Sequence, residues 1–155
     1  MRLALAQLRK LTLPYKVSEE LDLSEDLNGY EDIISSKPAH VEYVISEVSL
    51  DKYLVKMDIK IDLVIESAIS LKHLDKSISC KSEEIYVQNP DENEDVNPFI
   101  GQTLDTKEAV LTNILCEKPM RSIGDGEYFE DEYEEEDSDE VAESPFASLK
   151  DLLNK

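Results

Sequence analysis

The chain has 155 residues, of which 41% are hydrophobic, and its 36 Asp and Glu residues outnumber its 16 Lys and Arg residues to give a formal net charge of -20. This length and apolar content suit one ordinary domain plus a tail, and they exclude a wholly disordered chain. Nucleic-acid binding by phosphate neutralisation needs clustered Lys and Arg, so any contact with RNA should be indirect or very local.

The N-terminal segment, residues 2–13, fits a strand that enters a helical turn or one amphipathic helix, and we favour the strand and turn. Gln7, Arg9 and Lys10 interrupt its apolar run. The segment therefore offers neither a signal-peptide core nor a membrane span, and we expect a cytoplasmic protein without a membrane partner. Residues 15–27 form a polar stretch that ends at an Asn-Gly turn.

Three consecutive strands are predicted in the middle of the chain. Residues 41–50 alternate between apolar and polar but change phase at Val48, which predicts a bulge. Residues 53–67 place an apolar side chain at every second position, typical of a strand with one wet face, and we expect a bend near Val64. Residues 76–88 form the third strand. Its predicted inward side chains are Ile78, Cys80, Ile85 and Val87. The short loops predict an antiparallel meander.

The polar loop 89–102 contains a partial calcium-binding pattern. Asp91, Asn93 and Asp95 stand at three ligand positions, but Val96 replaces the Gly that the loop needs, and a Gln replaces the final bidentate Glu. We therefore predict a flexible loop and no metal site.

The clearest helix signal spans residues 104–116, with Asp105 or Thr103 as its cap and Pro119 after its end. Its apolar stripe comprises Leu104, Val110, Leu111, Ile114 and Leu115. Together, these elements predict an α+β fold, which is an antiparallel β-meander or partly open barrel packed by one or two helices, over residues 1–123.

Residues 124–143 form an acidic segment that contains twelve Asp and Glu residues and no Lys or Arg. Its self-repulsion and lack of periodicity predict a disordered linker. Its aromatic residues exceed what solubility alone requires. We predict partner contacts at Tyr128, Phe129, Tyr133, Glu134, Glu135 and Glu136.

Residues 144–155 predict a short amphipathic helix, with Ser144 as its cap and Pro145 at its first position. Two helical turns are not stable alone. The helix should therefore anchor on its own domain or on a partner, through an apolar face formed by Phe146, Leu149, Leu152 and Leu153.

Two cysteines are present, and they lie far apart without ligand spacing. We interpret Cys80 and Cys116 as reduced, packed thiols of a cytoplasmic protein. A disulfide between them is the alternative, which the sequence alone does not exclude.

Several short motifs occur in order along the chain, ahead of an acidic stretch and the ending FASLKDLL. They are Gln7/Leu8, Glu83/Glu84/Ile85/Tyr86, Leu104/Asp105, Ile114/Leu115 and Pro119/Met120. In this order, and over nearly the whole chain, they resemble the YceD family of large ribosomal RNA subunit accumulation proteins.

The chain departs from the family pattern in two places. Many members carry a Cys-x-Arg-x-Leu motif where this chain has Ser67, Ile69 and Leu71, so that only the Leu is kept. The Asp-Pro-Arg that precedes the last helix in the family is replaced by Glu143, Ser144 and Pro145. The resemblance therefore implies only the general task of the family, which is support of 23S ribosomal RNA accumulation and hence of large-subunit biogenesis.

Catalytic chemistry is not predicted. His40 and His73 are the only imidazoles, and no nucleophile motif, phosphate loop or zinc-protease motif is present. We therefore expect a non-enzymatic protein without a cofactor. The alternative from the enzyme class is a metal-dependent hydrolase that uses residues 91–95.

Two binding hypotheses follow. In the first, the acidic segment binds a basic ribosomal protein or a pre-large-subunit particle, and contact with ribosomal RNA is indirect. A segment that merely maintains solubility explains the charge equally well. In the second, Lys56 and Lys60 contact RNA directly. Asp58 and Asp62 alternate with these lysines, however, and this pattern favours charge pairs on the surface of the sheet over an RNA-binding patch. The oligomeric state is open, and dimerisation through an edge strand is one alternative.

Overall fold

The computed structural model describes residues 1–92 and 94–128, which contain eight strands and three helices. In chain order they are β1 (Arg2–Ala4), α1 (Leu5–Leu8), β2 (Tyr15–Leu21), α2 (Ser24–Leu27), β3 (Ile33–Ser36), β4 (Ala39–Ser49), β5 (Lys52–Glu66), β6 (His73–Val87), β7 (Asn97–Pro98), β8 (Thr103–Asp105) and α3 (Lys107–Glu117).

A six-stranded sheet forms the body of the protein. Its strand order is β2-β4-β5-β6-β7, and β3 pairs with the end of β5 that extends beyond β4. All these pairs are antiparallel except β6 with β7. A second, two-stranded sheet joins β1 to β8. Both sheets are open, so the α+β fold with a β4-β5-β6 meander is confirmed, in its open rather than its barrel form.

Strand β5 lies at the centre of the core because it pairs with β4, β3 and β6. Its alternate side chains are buried as the pattern predicted, and burying each branched aliphatic side chain contributes about 1.5–3 kcal/mol. The buried set is Val55, Met57, Ile59, Ile61, Leu63 and Ile65. The intervening Lys and Asp side chains lie on the opposite, solvent-facing surface, which we call the open face.

The bulge predicted at Val48 is confirmed by a register shift between Glu47 and Ser49. A bend in β5 was predicted near Val64, but the irregularity there lies in its partner strand β3. β5 pairs with β6 without interruption, whereas β3 changes register between Ile33 and Ser35, opposite the end of β5.

The prediction of which side chains of β6 face the core is wrong in the second half of the strand. Ile78 is buried and Cys80 is half-buried as expected, but Tyr86 faces the core, and Ile85 and Val87 lie on the open face. The reason is that β6 pairs with β5 without a bulge, so the alternation set by Ile78 continues unchanged.

The helix α3 begins at Lys107, later than predicted. Residues 103–105 pair with β1 instead, so Leu104 contributes to the core from a strand. The N-cap is Thr106, although Asp105 Oδ1 accepts the Lys107 N–H at 3.0 Å. The polar stretch at the start of the chain also contains the unpredicted strand β2, which pairs with β4.

A buried polar cluster joins the small sheet to the large one. The Thr106 hydroxyl donates to Tyr43 Oη at 3.1 Å, and the Tyr43 hydroxyl donates to Glu19 Oε1 at 2.9 Å. Burial raises the pKa of Tyr43 well above its usual value. Because these groups satisfy one another and Tyr43 stays neutral, the cluster is a structural one.

Candidate functional site

Most of the predicted partner contacts lie outside the described residues. Tyr128 is described, and its side chain is 73% exposed. The residues outside are Phe129, Tyr133, Glu134, Glu135 and Glu136, together with Phe146, Leu149, Leu152 and Leu153 of the C-terminal helix.

The predicted RNA contacts both lie on the open face of β5, with Asp58 between them. Lys56 Nζ is 2.8 Å from Glu83 Oε1 of β6, and the neighbouring Asp58 pairs with Lys81 at 3.6 Å. Lys60 lies between His40 of β4 and Ser79 of β6. This arrangement is a ladder of opposite charges across strands, which leaves little uncompensated positive charge for phosphate binding.

A cleft of about 210 Å³ lies at the turn between β5 and β6. Three segments that are far apart in the sequence meet there, and their lining side chains include Glu31, Asp32, Glu66, Ser67, Leu71 and Met120. Two of the three segments belong to the places compared with the YceD pattern, namely the Ser67 to Leu71 turn and the Pro119/Met120 pair. The first of these was a departure from the family pattern and the second a match to it, and neither was predicted as a site.

The turn at the cleft is held by its own hydrogen bonds. The Ser67 N–H donates to the Lys72 carbonyl at 2.8 Å, and the Leu71 N–H donates to the Ser67 carbonyl at 3.1 Å. The fully buried Ser67 Oγ accepts the N–H groups of Ile69 and Ser70, each at 3.2 Å. These bonds fix Leu71 with a φ of 59°, in the left-handed region that residues other than Gly and Asn rarely adopt.

Glu127 attaches the start of the acidic segment to this turn. The Ser67 hydroxyl donates to Glu127 Oε2, and the Gly124 N–H donates to the same oxygen at 2.8 Å. Hydrogen bonds from Ser67, from Ser70 and from the Gly124 backbone lower the pKa of Glu127 to about 2. A Cβ at Gly124 would lie 3.0 Å from the Glu127 carboxyl, so a larger residue there would displace this carboxyl slightly.

Apolar side chains are exposed around the cleft. Leu71 is 66% exposed and Met120 is 96% exposed, and the nearby Ile123 and Tyr128 also face solvent. Acidic side chains lie beside them: Glu31 and Glu66 line the cleft, and no ion pair of either lies among the described residues. Asp32, by contrast, contacts Lys118 Nζ. An apolar rim with acidic neighbours is suited to binding a segment that is both basic and apolar.

Metal and redox chemistry have few candidate groups in the described part of the chain. No cluster of three or more His, Cys, Asp or Glu side chains suitable for a metal ion occurs there, and Asn93 of the calcium-like pattern lies outside it. Cys80 and Cys116 are free thiols, of which Cys116 is exposed, and burial raises the pKa of Cys80.

Within residues 1–92 and 94–128, no helix is long and apolar enough to cross a membrane.

Comparison with protein-family models, with curated proteins and with solved structures finds no match to this chain. The resemblance to the YceD family therefore rests on the short sequence motifs alone.

The sequence analysis missed the contact between Ser67 and Glu127 and the exposed position of Leu71. One local signal was available, because the alternation of β5 stops at Ser67 and a second serine follows three residues later, as in turns capped by a side-chain hydroxyl. No local signal shows that Glu127, sixty residues later, returns to the same serine.

Proposed function

We propose that this protein is a YceD-family member and a non-enzymatic, cytoplasmic factor that supports accumulation of 23S ribosomal RNA and large-subunit biogenesis. It does so by binding a basic ribosomal protein or an assembly intermediate through its acidic C-terminal segment. The observation that carries the proposal is the attachment of this segment at a defined point of the folded domain, through the bonds from Ser67 and Gly124 to Glu127.

Charge supports the proposal. Between Asp125 and Glu143 the chain carries twelve carboxylates and no Lys or Arg, whereas ribosomal proteins are strongly basic. Salt screens electrostatic attraction beyond about 8 Å under physiological conditions, so the acidic segment would have to contact its partner directly. A segment that only maintained solubility would need no defined attachment point.

Direct binding of ribosomal RNA is the second candidate. Lys60 favours it, since no ion pair of Lys60 lies among the described residues, but the pairing of Lys56 with Glu83 opposes it. Reversing both charges with Lys56→Glu and Lys60→Glu should abolish RNA retention if this candidate is right. Unchanged retention would exclude it.

The amount of 23S relative to 16S ribosomal RNA in cells tests the proposed function. Removing the gene should lower this ratio, and the wild-type protein should restore it. A variant in which the acidic residues 130–143 are changed to Asn and Gln keeps the length of the chain and should not restore it. A normal ratio without the gene would contradict the ribosomal role, and full restoration by the neutral variant would contradict the acidic mechanism.

A further inference from the structure

We propose that Leu71 and Met120 form a docking site for a large apolar side chain within a Lys- and Arg-rich segment of the partner protein. The acidic segment attracts this partner, and the cleft then fixes its position. This inference rests on the proposed function, for which it names the feature of the partner that is recognised.

The backbone of Leu71 is the first observation. Its φ of 59° is unfavourable for a branched L-residue, and Gly or Asn would adopt it with less strain. Its side chain is 66% exposed, so it contributes little to the core. The hydrogen bonds of the turn impose this conformation but do not require a leucine, and residues in strained backbone conformations occur preferentially at functional sites. Contact with a partner accounts for a leucine at this position.

Met120 is the second observation. It lines the same cleft as Leu71 and is almost fully exposed, and the neighbouring Ser122 carbonyl accepts the Ala68 N–H at 2.8 Å. This bond holds the segment after α3 against the turn. Methionine is flexible and polarisable, so it adapts well to the apolar side chain of a partner.

The charges around the cleft select the partner. Glu31 and Glu66 line it, and Glu127 of the acidic segment contacts the lining residue Ser67. Asp32 is compensated by Lys118, and Arg121 supplies a positive charge to the lining. Ten further carboxylates follow in the sequence between residues 130 and 143, and negative charge of this size favours a basic polypeptide over RNA as the partner.

Two synthetic peptides test the inference. The first contains only Lys and Gly, and the second is identical except for two Leu in place of Gly. The wild-type protein should bind the Leu-containing peptide about tenfold more tightly, since burying much of a leucine side chain is worth roughly one factor of ten in affinity. Leu71→Gly should remove most of this difference and leave the affinity for the Lys/Gly peptide unchanged.

The control is Leu50→Gly, which removes an 86% exposed leucine from the turn at the other end of β5. It should keep the tenfold preference. Met120→Ser should weaken the preference as Leu71→Gly does, and it provides an independent variant outside the turn. Thermal unfolding of each variant checks that the fold is intact.

The docking site would be overturned if the wild-type protein bound the two peptides with equal affinity. It would also be overturned if Leu71→Gly and Leu50→Gly lost the preference for the Leu-containing peptide to the same extent. The proposed function fails differently. If both peptides bind with equal affinity and neutralising residues 130–143 abolishes the binding of both, the docking site is wrong and the acidic mechanism stands. If neither peptide binds, both are wrong.

Discussion

The two turns at the ends of β5 each contain a residue with a positive φ, yet they differ in what explains it. In the β4–β5 turn the residue is Asp51, with a φ of 55°, and Arg9 Nε donates to its carboxylate at 3.0 Å. In the β5–β6 turn it is Leu71, which is exposed and makes no comparable contact in the described part of the chain. Asp adopts this backbone conformation with less strain than Leu, so the fold accounts for the residue type in the first turn but not for the leucine in the second.

The difference shows how a candidate site can be distinguished from ordinary surface. Exposed leucines occur in both turns, since Leu50 is even more exposed than Leu71. Only Leu71 combines exposure, backbone strain and a cleft beside the start of the acidic segment. Exposure alone is common on protein surfaces, and the combination carries the argument.

The largest expected effect on stability comes from removing the hydroxyl that holds the β5–β6 turn. Ser67→Ala should lower the free energy of unfolding by about 1–3 kcal/mol, because two backbone N–H groups and Glu127 lose their partner in a buried position. Urea denaturation measures it. In the β4–β5 turn, Asp51→Asn keeps a residue type that tolerates the positive φ and removes only an exposed ion pair, so it should lower the free energy of unfolding far less. Equal effects at both turns would contradict this comparison.

The two leucines should respond to glycine with opposite signs. Leu71→Gly should leave the free energy of unfolding unchanged or raise it by up to about 1 kcal/mol, because relief of the backbone strain exceeds the entropy cost of glycine. Leu50→Gly should lower it by about 0.5–1 kcal/mol, since the φ of Leu50 is not positive. Thermal unfolding of both variants measures the difference. A clear loss of stability in Leu71→Gly would mean that the leucine is there for the fold.

The attachment of the acidic segment should depend on pH. The pKa of Glu127 is lowered from 4.5 to about 2, so the stabilisation by its carboxylate is complete above pH 4.5 and is lost as the pH falls towards 2. The stability difference between the wild type and Glu127→Gln should therefore be constant near neutral pH and disappear in this acidic range. A difference that is constant down to pH 2 would show that the carboxylate is not held by Ser67 and Gly124.

The smallest expected effect lies on the open face, away from both turns. His40 Nδ1 is 2.6 Å from Glu20 Oε1, and this contact raises the pKa of the exposed imidazole above 6.5. Its stabilisation is present below pH 6.5 and is lost as the pH rises through the raised pKa. His40→Gln should therefore be slightly less stable than the wild type at pH 6 and equal to it at high pH. The opposite order would contradict the contact with Glu20.

The sequence predicted the parts of the fold that local pattern determines. Alternation identified β5, and the phase change at Val48 identified a real bulge. It did not identify β2, since Lys16, Glu19 and Glu20 make this strand resemble a polar loop until it pairs with β4. It also assigned Leu104 to a helix, because only the long-range pairing with β1 makes this residue part of a strand.

The candidate site was beyond local pattern for a similar reason. The cleft forms where residues near 31, 67 and 120 meet, and their proximity depends on β3 pairing with β5 and on the chain returning after α3. The acidic segment and its aromatic residues were recognised from composition. The point at which the segment attaches, through Ser67, could not be, because a hydrogen bond between residues 67 and 127 leaves no mark in either local sequence.

Capture of the tagged full-length protein from cell lysate, at low and at moderate salt, tests the central claim most directly, with bound proteins and bound RNA identified separately. The acidic mechanism predicts recovery of a basic large-subunit protein without RNA, lost at moderate salt and absent for the variant with residues 130–143 neutralised. Recovery of 23S ribosomal RNA or its precursor that resists salt and survives this neutralisation would contradict it, and would place the functional surface on the folded domain.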